Sequence, residues 1–265
     1  MIFYFSGTGN CLAIAQRIAE ATGDKVMSLY DGANTDLTDE KTIGFVYPSY
    51  YFNAPKPVPA LIEQLRLPHS AYTFIVIPCG AQAGNSIWTI SRILNHKGTK
   101  VDYSNKIRVP DCSAIGFGRN PNDQVWKFKR FASRLDNIIA DIQAKRHAHH
   151  YGWWGPSGWL CARPSIERQT LPLLQPVVNK DKCTACNTCI RLCPQSNIKL
   201  VQRPDEKAKE VSATSQTAFI GDRCVQCLSC VHFCPQQAIE IAGKPTAKER
   251  QYHHPQIKLK DLLRK

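Results

Sequence analysis

Residues 182–194 read KCTACNTCIRLCP and residues 223–235 read RCVQCLSCVHFCP, so the pattern C-x2-C-x2-C-x3-C-P occurs twice in this chain. The two runs belong to a longer repeat, because residues 181–200 align with residues 222–241 at a constant offset of 41. The alignment matches every cysteine of the runs and the Pro-Gln pair that follows them. Such a duplication predicts a small domain whose two similar halves are related by an approximate twofold axis.

The spacing of these cysteines resembles that of bacterial two-cluster ferredoxins, in which it binds two [4Fe-4S] clusters. In that family three cysteines of a run bind one cluster, and the fourth, just before the proline, binds the other. The resemblance implies one ligand set of Cys183, Cys186, Cys189 and Cys234, and a second of Cys224, Cys227, Cys230 and Cys193. Structural zinc and disulfides are the alternatives, but zinc sites seldom need the repeated fourth cysteine with its proline.

The beginning of the chain predicts a strand, a phosphate-type loop and a helix. Residues 1–5 are apolar, residues 6–11 read SGTGNC, and apolar residues then recur at helical spacing. Small residues let a backbone wrap an anion, which the loop N–H groups and the helix N-terminus attract. A nucleoside-triphosphate loop would place a lysine after its last glycine, but Asn10 and Cys11 follow Gly9 here. The loop therefore suits a single phosphate monoester such as that of FMN; the alternative is a Ser/Gly turn in an unliganded domain.

This first loop resembles the phosphate loop of flavodoxins, S/T-x-T-G-x-T, with Cys11 in place of the last threonine. Residues 48–57, PSYYFNAPKP, and residues 79–85, CGAQAGN, resemble the other two flavin loops of that family. In the family an aromatic residue packs on the flavin ring, and Tyr50 matches it; a surface aromatic cluster is the alternative. The resemblance implies FMN contacts at Ser6, Gly7, Thr8, Gly9, Asn10, Cys11, Pro48, Ser49, Tyr50, Tyr51, Cys79, Gly80 and Gly84.

The alternation of strands and helices predicts an α/β flavodoxin-like fold, a doubly wound parallel five-stranded sheet of order 2-1-3-4-5. Its fifth strand is predicted at residues 107–112, and a long helix at residues 122–146. A small α+β two-cluster ferredoxin domain follows. The predicted parts are a flavodoxin-like FMN-binding domain at 1–146, an aromatic and basic linker at 147–176, the ferredoxin domain at 177–243 and a basic C-terminal tail at 244–265.

Two further segments lie outside these motifs. Residues 203–221 are polar and longer than a minimal ferredoxin needs, which predicts an exposed excursion. The tail predicts a short amphipathic helix that includes Leu259 and Leu262, and docking onto the protein itself is preferred to membrane contact. Cysteines outside the runs, at positions 11, 79, 112 and 161, have no mutual ligand spacing and are interpreted as ordinary thiols.

The charge of the chain bears on its partners. The formal net charge is +13, and eight thiolates with two oxidised cluster cores would leave roughly +9. Such a field favours acidic redox proteins, or peripheral contact with an anionic membrane, and is weak evidence for nucleic acid, for which no base-reading motif is present. No apolar run reaches the length of a membrane span and the first residues do not resemble a signal peptide. With the clustered thiols, this predicts a cytoplasmic protein.

Taken together, the chain resembles proteins that fuse a flavodoxin-like domain to a two-cluster ferredoxin. The resemblance implies an intracellular electron-transfer protein that passes electrons between FMN and two [4Fe-4S] clusters and on to redox partners. The alternative is a flavin-dependent iron–sulfur oxidoreductase acting on a small organic substrate such as a quinone or a tetrapyrrole precursor. The flavin loops contain no evident general acid or base, so no catalytic residue is predicted and the relay is preferred. A redox sensor is a third hypothesis.

Overall fold

The computed structural model describes residues 1–33, 35–149, 168–169, 171–202 and 216–263. Most of the predicted linker, with its tryptophans and Cys161, lies outside the described residues, as does the first part of the predicted excursion.

A six-stranded parallel sheet forms the first domain, with the strand order β2-β1-β3-β4-β5-β6. Its strands are β1 Ile2–Tyr4, β2 Val26–Ser28, β3 Thr42–Val46, β4 Tyr72–Cys79, β5 Tyr103–Arg108 and β6 Ala148–His149. The predicted order 2-1-3-4-5 is confirmed, but the predicted count of five strands is one too few. The sixth strand lies within the predicted linker and consists of two residues, so it is too short to show the alternating pattern by which strands are predicted.

The fifth strand also begins earlier than predicted. Strand β5 has the sequence YSNKIR, which is polar, whereas the prediction placed the strand at the apolar residues 107–112. Its buried polar groups are satisfied, since Asn105 Nδ2 donates to Tyr103 Oη at 2.8 Å and Ser104 Oγ lies 3.3 Å from His149 Nδ1. Tertiary pairing with β4 and β6 therefore overrides the local pattern.

Helices cover both faces of the sheet: α1 Asn10–Thr22, α2 Pro57–Gln64, α3 Ser86–His96 and α4 Phe128–Gln143. Ile14 of α1 and Ile138 of α4 pack with Phe74 on one face, while Ile62 of α2 and Ile90 of α3 pack in the core of the other. The helix predicted at 122–146 is shorter, because a 3-10 helix at Pro121–Lys127 precedes α4. All strands run parallel, so the loops that follow β1, β3, β4 and β5 meet at one edge of the sheet.

The cysteine-rich domain is built as two similar halves, as the repeat predicts. Its elements are β7 Pro176–Val178, α5 Thr188–Leu192, β8 Ile198–Gln202, β9 Gln216–Ile220, α6 Ser229–His232 and β10 Ile239–Ile241. Strands β7 and β10 pair antiparallel, as do β8 and β9. Left-handed backbone recurs at the repeat offset: φ is 52° at both Ala185 and Gln226, and 63° and 59° at Asn187 and Leu228. The prediction of an exposed excursion at 203–221 is wrong for its last part, because Gln216–Ile220 form strand β9 and pair with β8.

The C-terminal tail ends in the described residues with helix α7, Leu259–Leu262. Its predicted docking onto the protein is confirmed at Ile257, which is 2% exposed and packs against Leu12 and Ala13 of α1. Within the described ranges, no helix is both long enough and apolar enough to cross a membrane.

Candidate functional site

A cavity of about 280 Å³ opens at the edge of the sheet where the strand-end loops meet. We call it the flavin cavity, because every predicted FMN contact except Gly9 and Gly84 lines it. Those two glycines support loops instead. A methyl group on Gly9 would lie 2.8 Å from Ile257 Cβ, and one on Gly84 would lie 2.1 Å from the Phe52 carbonyl oxygen. Both have a positive φ, of 93° and 56°, which favours glycine.

Three successive carbonyl groups of the phosphate loop, at Gly7, Thr8 and Gly9, accept hydrogen bonds from residues that do not line the flavin cavity. Their donors are Ser229 Oγ at 2.6 Å, His254 N–H at 2.9 Å and Ala13 N–H at 2.9 Å, respectively. In a trans peptide the C=O and N–H groups point in opposite directions, so the N–H groups of Thr8, Gly9 and Asn10 point the other way. The Gly9 N–H donates to Ser6 Oγ at 3.1 Å. With the N-terminus of α1, this arrangement suits an anion such as a phosphate.

The second loop carries two non-glycine residues in left-handed backbone, Tyr51 (φ 50°) and Phe52 (φ 59°). Such residues are uncommon outside functional or strained segments. The loop is closed by reciprocal backbone hydrogen bonds of 2.8 Å between Tyr50 and Asn53. Tyr50 packs edge-on against Phe5, and burial raises the pKa of its hydroxyl well above the ordinary value. Tyr50 is therefore a neutral aromatic residue on the lining of the flavin cavity, which is consistent with its predicted position beside a flavin ring.

Three cysteines interpreted as ordinary thiols line the flavin cavity: Cys11, Cys79 and Cys112. Cys112 Sγ lies 2.9 Å from Thr8 Oγ1, which links the loop after β5 to the phosphate loop. Burial, and then the nearby Cys112, raise the pKa of Cys11 well above the ordinary value, so the Cys11 thiol stays protonated. Cys112 was not predicted as a cavity residue, although it follows VPD at the predicted carboxyl end of a strand, where such residues are expected.

The eight cysteines of the two runs line two small cavities in the cysteine-rich domain. Cys183, Cys186, Cys189 and Cys234 line the first cysteine cavity. Cys193, Cys224, Cys227 and Cys230 line the second cysteine cavity. Each group contains three cysteines of one run and the fourth of the other, which is the grouping that the ferredoxin resemblance implies. Their role as cluster ligands stays a prediction.

The surroundings of these cysteines fit an iron–sulfur cluster. Backbone N–H groups point at sulfur atoms, with Ala238 N–H 3.2 Å from Cys234 Sγ and Asn197 N–H 3.3 Å from Cys193 Sγ. Burial, and then the nearby Cys183, raise the pKa of Cys189 to about 11, so thiolates here need a positive charge that cluster iron supplies. Among the described residues, no three Cys, His, Asp or Glu side chains are close enough to bind a single ion. A cubane spreads its four ligands over separate irons, so it tolerates this wider arrangement.

Residues 224–230 of the second run, which we call the cysteine loop, form one side of the flavin cavity through Gln226, Cys227 and Leu228. The contact is close: a methyl group on Gly7 would lie 2.4 Å from the Cys227 carbonyl oxygen. Ser229 Oγ donates to the Gly7 carbonyl oxygen from the same loop. The first cysteine cavity differs, because its Cys186 is exposed to solvent. The arrangement places the second cysteine cavity beside the flavin cavity and gives the first an exposed side.

Gln226 joins the two domains and was not predicted as a site residue. It is 6% exposed, accepts a hydrogen bond from Tyr51 Oη and donates through Nε2 to the Leu171 carbonyl oxygen at 2.9 Å. Ala185 occupies the equivalent place in the first run. The two runs differ at this position, but only the contacts of Gln226 in the fold show that the second run faces the flavin cavity.

These features define a class of protein: a doubly wound α/β domain joined to a domain with the cysteine pattern of two [4Fe-4S] clusters. Residues 182–238 match the model of the family described as 4Fe-4S dicluster domain. The matched region contains all eight cysteines of the two runs. A search of curated proteins gave no match.

Several solved structures are similar to part of the chain. A putative flavoprotein from Bacteroides uniformis has 15% identity and a TM-score of 0.35, covering 41% of this chain and 88% of its own. The Trp repressor binding protein from Bacillus subtilis has 12% identity and a TM-score of 0.37, covering 53% and 96%. An FMN-dependent NADH-azoreductase from Bacillus anthracis, solved with FMN, has 12% identity and a TM-score of 0.37, covering 54% and 98%.

Proposed function

We propose that this chain is an electron-transfer protein that holds FMN in the flavin cavity and a [4Fe-4S] cluster in each cysteine cavity. The observation that carries the proposal is the shared wall: Cys227, a predicted cluster ligand, lines the same cavity as the phosphate loop. FMN exchanges electrons in pairs or singly and a cubane exchanges one at a time, so together they convert paired into single transfers.

The residues of the chain have distinct roles in this proposal. The N–H groups of the phosphate loop bind the FMN phosphate, and Tyr50 provides a neutral aromatic surface for the ring. The second cysteine cavity is the inner one, because Cys227 touches Gly7. The first cysteine cavity is the outer one, where the exposed Cys186 lets a redox partner approach. The net charge of +13 favours an acidic partner protein.

The relay is preferred to an oxidoreductase of a quinone or a tetrapyrrole precursor because of the groups that line the flavin cavity. Asp111 is the carboxylate among the described lining residues. Its Oδ1 accepts hydrogen bonds from the Ser113 N–H at 3.0 Å and Ser113 Oγ at 2.6 Å, so it caps the short helix that follows. A carboxylate held in this way is poorly placed to transfer a proton to a substrate.

Anaerobic reconstitution with iron, sulfide and FMN should yield about eight irons and one FMN per chain, from two cubanes and one phosphate loop. Iron and sulfide assays with the flavin absorbance spectrum measure both numbers. A colourless product containing zinc would contradict the proposal.

The relay itself is tested by mixing the reduced protein anaerobically with acidic redox proteins and, separately, with small quinones. We expect the acidic redox proteins to oxidise it quickly. The rate should fall as the salt concentration is raised, because salt screens surface charges. Saturable turnover of one quinone, with slow oxidation by every redox protein, would favour the oxidoreductase instead.

A further inference from the structure

A segment of the C-terminal tail, residues 251–257, crosses from the cysteine-rich domain to the phosphate loop; we call it the strap. It is attached to helix α6 and the residues after it, since Gln251 Nε2 donates to the carbonyl oxygens of Val231 at 2.9 Å and Cys234 at 2.7 Å. The Tyr252 N–H donates to His232 Nδ1 at 3.1 Å. This end of the strap therefore depends on the second cysteine run.

His232 extends this attachment to the flavin cavity. Because Nδ1 accepts from Tyr252, the proton lies on Nε2, which donates to the Cys112 carbonyl oxygen at 3.1 Å. The strap, helix α6 and the loop after β5 form one hydrogen-bonded unit.

The other end of the strap lies against the phosphate loop. Tyr252 Oη donates to Asn10 Oδ1 at 2.7 Å, and the His254 N–H donates to the Thr8 carbonyl oxygen at 2.9 Å. Ile257 fills the space beside Gly9. Tyr252 and Ile257 are each 2% exposed, so these contacts are fully packed. Neither of these two side chains lines the flavin cavity.

The strap therefore acts on the orientation of the phosphate loop. The Thr8 carbonyl belongs to the same peptide unit as the Gly9 N–H, and the Gly7 carbonyl, held by Ser229, belongs to that of the Thr8 N–H. Holding each carbonyl on the outer side holds each N–H on the inner side, because the two groups of a trans peptide are opposed. There the Gly9 N–H donates to Ser6 Oγ, so at this position the strap helps to hold the Ser6 hydroxyl beside the Thr8 and Asn10 N–H groups. An anion site whose donors are already oriented spends less free energy on ordering when it binds.

We propose that the strap positions the phosphate loop for the phosphate group of FMN, with Tyr252 and Ile257 as positioning residues. The inference rests on the proposed FMN site and goes beyond it, since it makes phosphate binding depend on a segment outside the flavodoxin-like domain.

The experiment compares FMN with riboflavin, which has the same ring and no phosphate. Tyr252→Phe removes the hydrogen bond to Asn10 and should weaken FMN binding about 5- to 10-fold, the effect of one buried hydrogen bond, without changing riboflavin affinity. Tyr72→Phe is the matched control, because Tyr72 Oη donates to the Arg146 carbonyl oxygen at 2.8 Å, outside the flavin cavity. It should leave both affinities unchanged. Fluorescence titration of flavin-free, cluster-loaded protein measures them.

Equal weakening of FMN and riboflavin, or no change in either, would overturn the positioning role. Wild-type protein that binds neither flavin would instead refute the proposed function, which separates the two failures. If Tyr252→Phe does not fold, Ile257→Ala provides the same test without removing a hydrogen bond. As an independent measurement, FMN should slow hydrogen exchange at the backbone N–H groups of Tyr252 and His254 in the wild type. Unchanged exchange there would contradict the proposal.

Discussion

Replacing Gly7 with alanine should weaken FMN binding by about 100-fold while the iron content stays near eight per chain. The added methyl group would lie 2.4 Å from the Cys227 carbonyl oxygen, and backbone on both sides leaves no flexible side chain to move away. The phosphate loop must then shift from the cysteine loop and lose the hydrogen bond from Ser229 Oγ to the Gly7 carbonyl. Flavin fluorescence titration and an iron assay on the same sample measure the two effects.

The matched control is Gly98→Ala at the end of α3. Its methyl group would lie 2.8 Å from the His69 ring, and Gly98 has a φ of 76°, so this variant is also strained. Neither Gly98 nor His69 lines the flavin cavity. It should lower the unfolding temperature and leave the FMN dissociation constant unchanged. If Gly7→Ala binds FMN as tightly as the wild type, the contact between the loops does not matter for the flavin site.

Removal of Cys193 should reduce the iron content from about eight to about four, with the loss in the cluster of the second run. Cys193 belongs to the first run in sequence but lines the second cysteine cavity with Cys224. Alanine is the better replacement, because it offers no oxygen that could bind iron in place of the sulfur. Iron and sulfide assays after anaerobic reconstitution measure the loss.

Double variants test the grouping without assigning any spectrum. Cys193→Ala combined with Cys224→Ala should retain about four irons, because both residues would serve one cluster. Cys193→Ala combined with Cys186→Ala should retain almost none, because both clusters lose a ligand. Cys79→Ser is the control, since Cys79 is buried and lies in neither cysteine cavity. About four irons in the second double variant would show that the cross-grouping is wrong.

Local patterns explain why much of the architecture could be predicted. The repeat at residues 181–200 and 222–241 predicted two similar halves, and the backbone repeats its left-handed residues at the same offset. Apolar periodicity predicted helices and buried strands, because both have regular side-chain periods. The alternation of these strands with helices predicted the doubly wound order of five strands. It failed at β5 and β6, whose polar residues are strands only because neighbouring strands pair with them.

The candidate site also has a part that could be predicted from local sequence and a part that could not. Turn chemistry and cysteine spacing act within a few residues, so the phosphate loop and the two cysteine groups could be recognised from the chain alone. The contact of Ser229 with Gly7 joins residues 222 positions apart, and no local pattern encodes such a pair. The same holds for the contact of the strap with the phosphate loop, because residues 251–257 read QYHHPQI, which is mostly polar and contains no local pattern that predicts burial there.

Short motifs thus indicate what this protein could bind: two cysteine runs suit iron–sulfur clusters, and one glycine-containing loop suits a phosphate. Which cysteine run faces the phosphate loop depends on folding, because the identical cysteine spacing of the two runs does not distinguish them. Packing distinguishes them: Gly7 leaves room for the Cys227 backbone, and Gln226 fills a place that Ala185 in the first run would leave empty. Motif spacing determines what can be bound, and long-range packing determines which sites lie side by side.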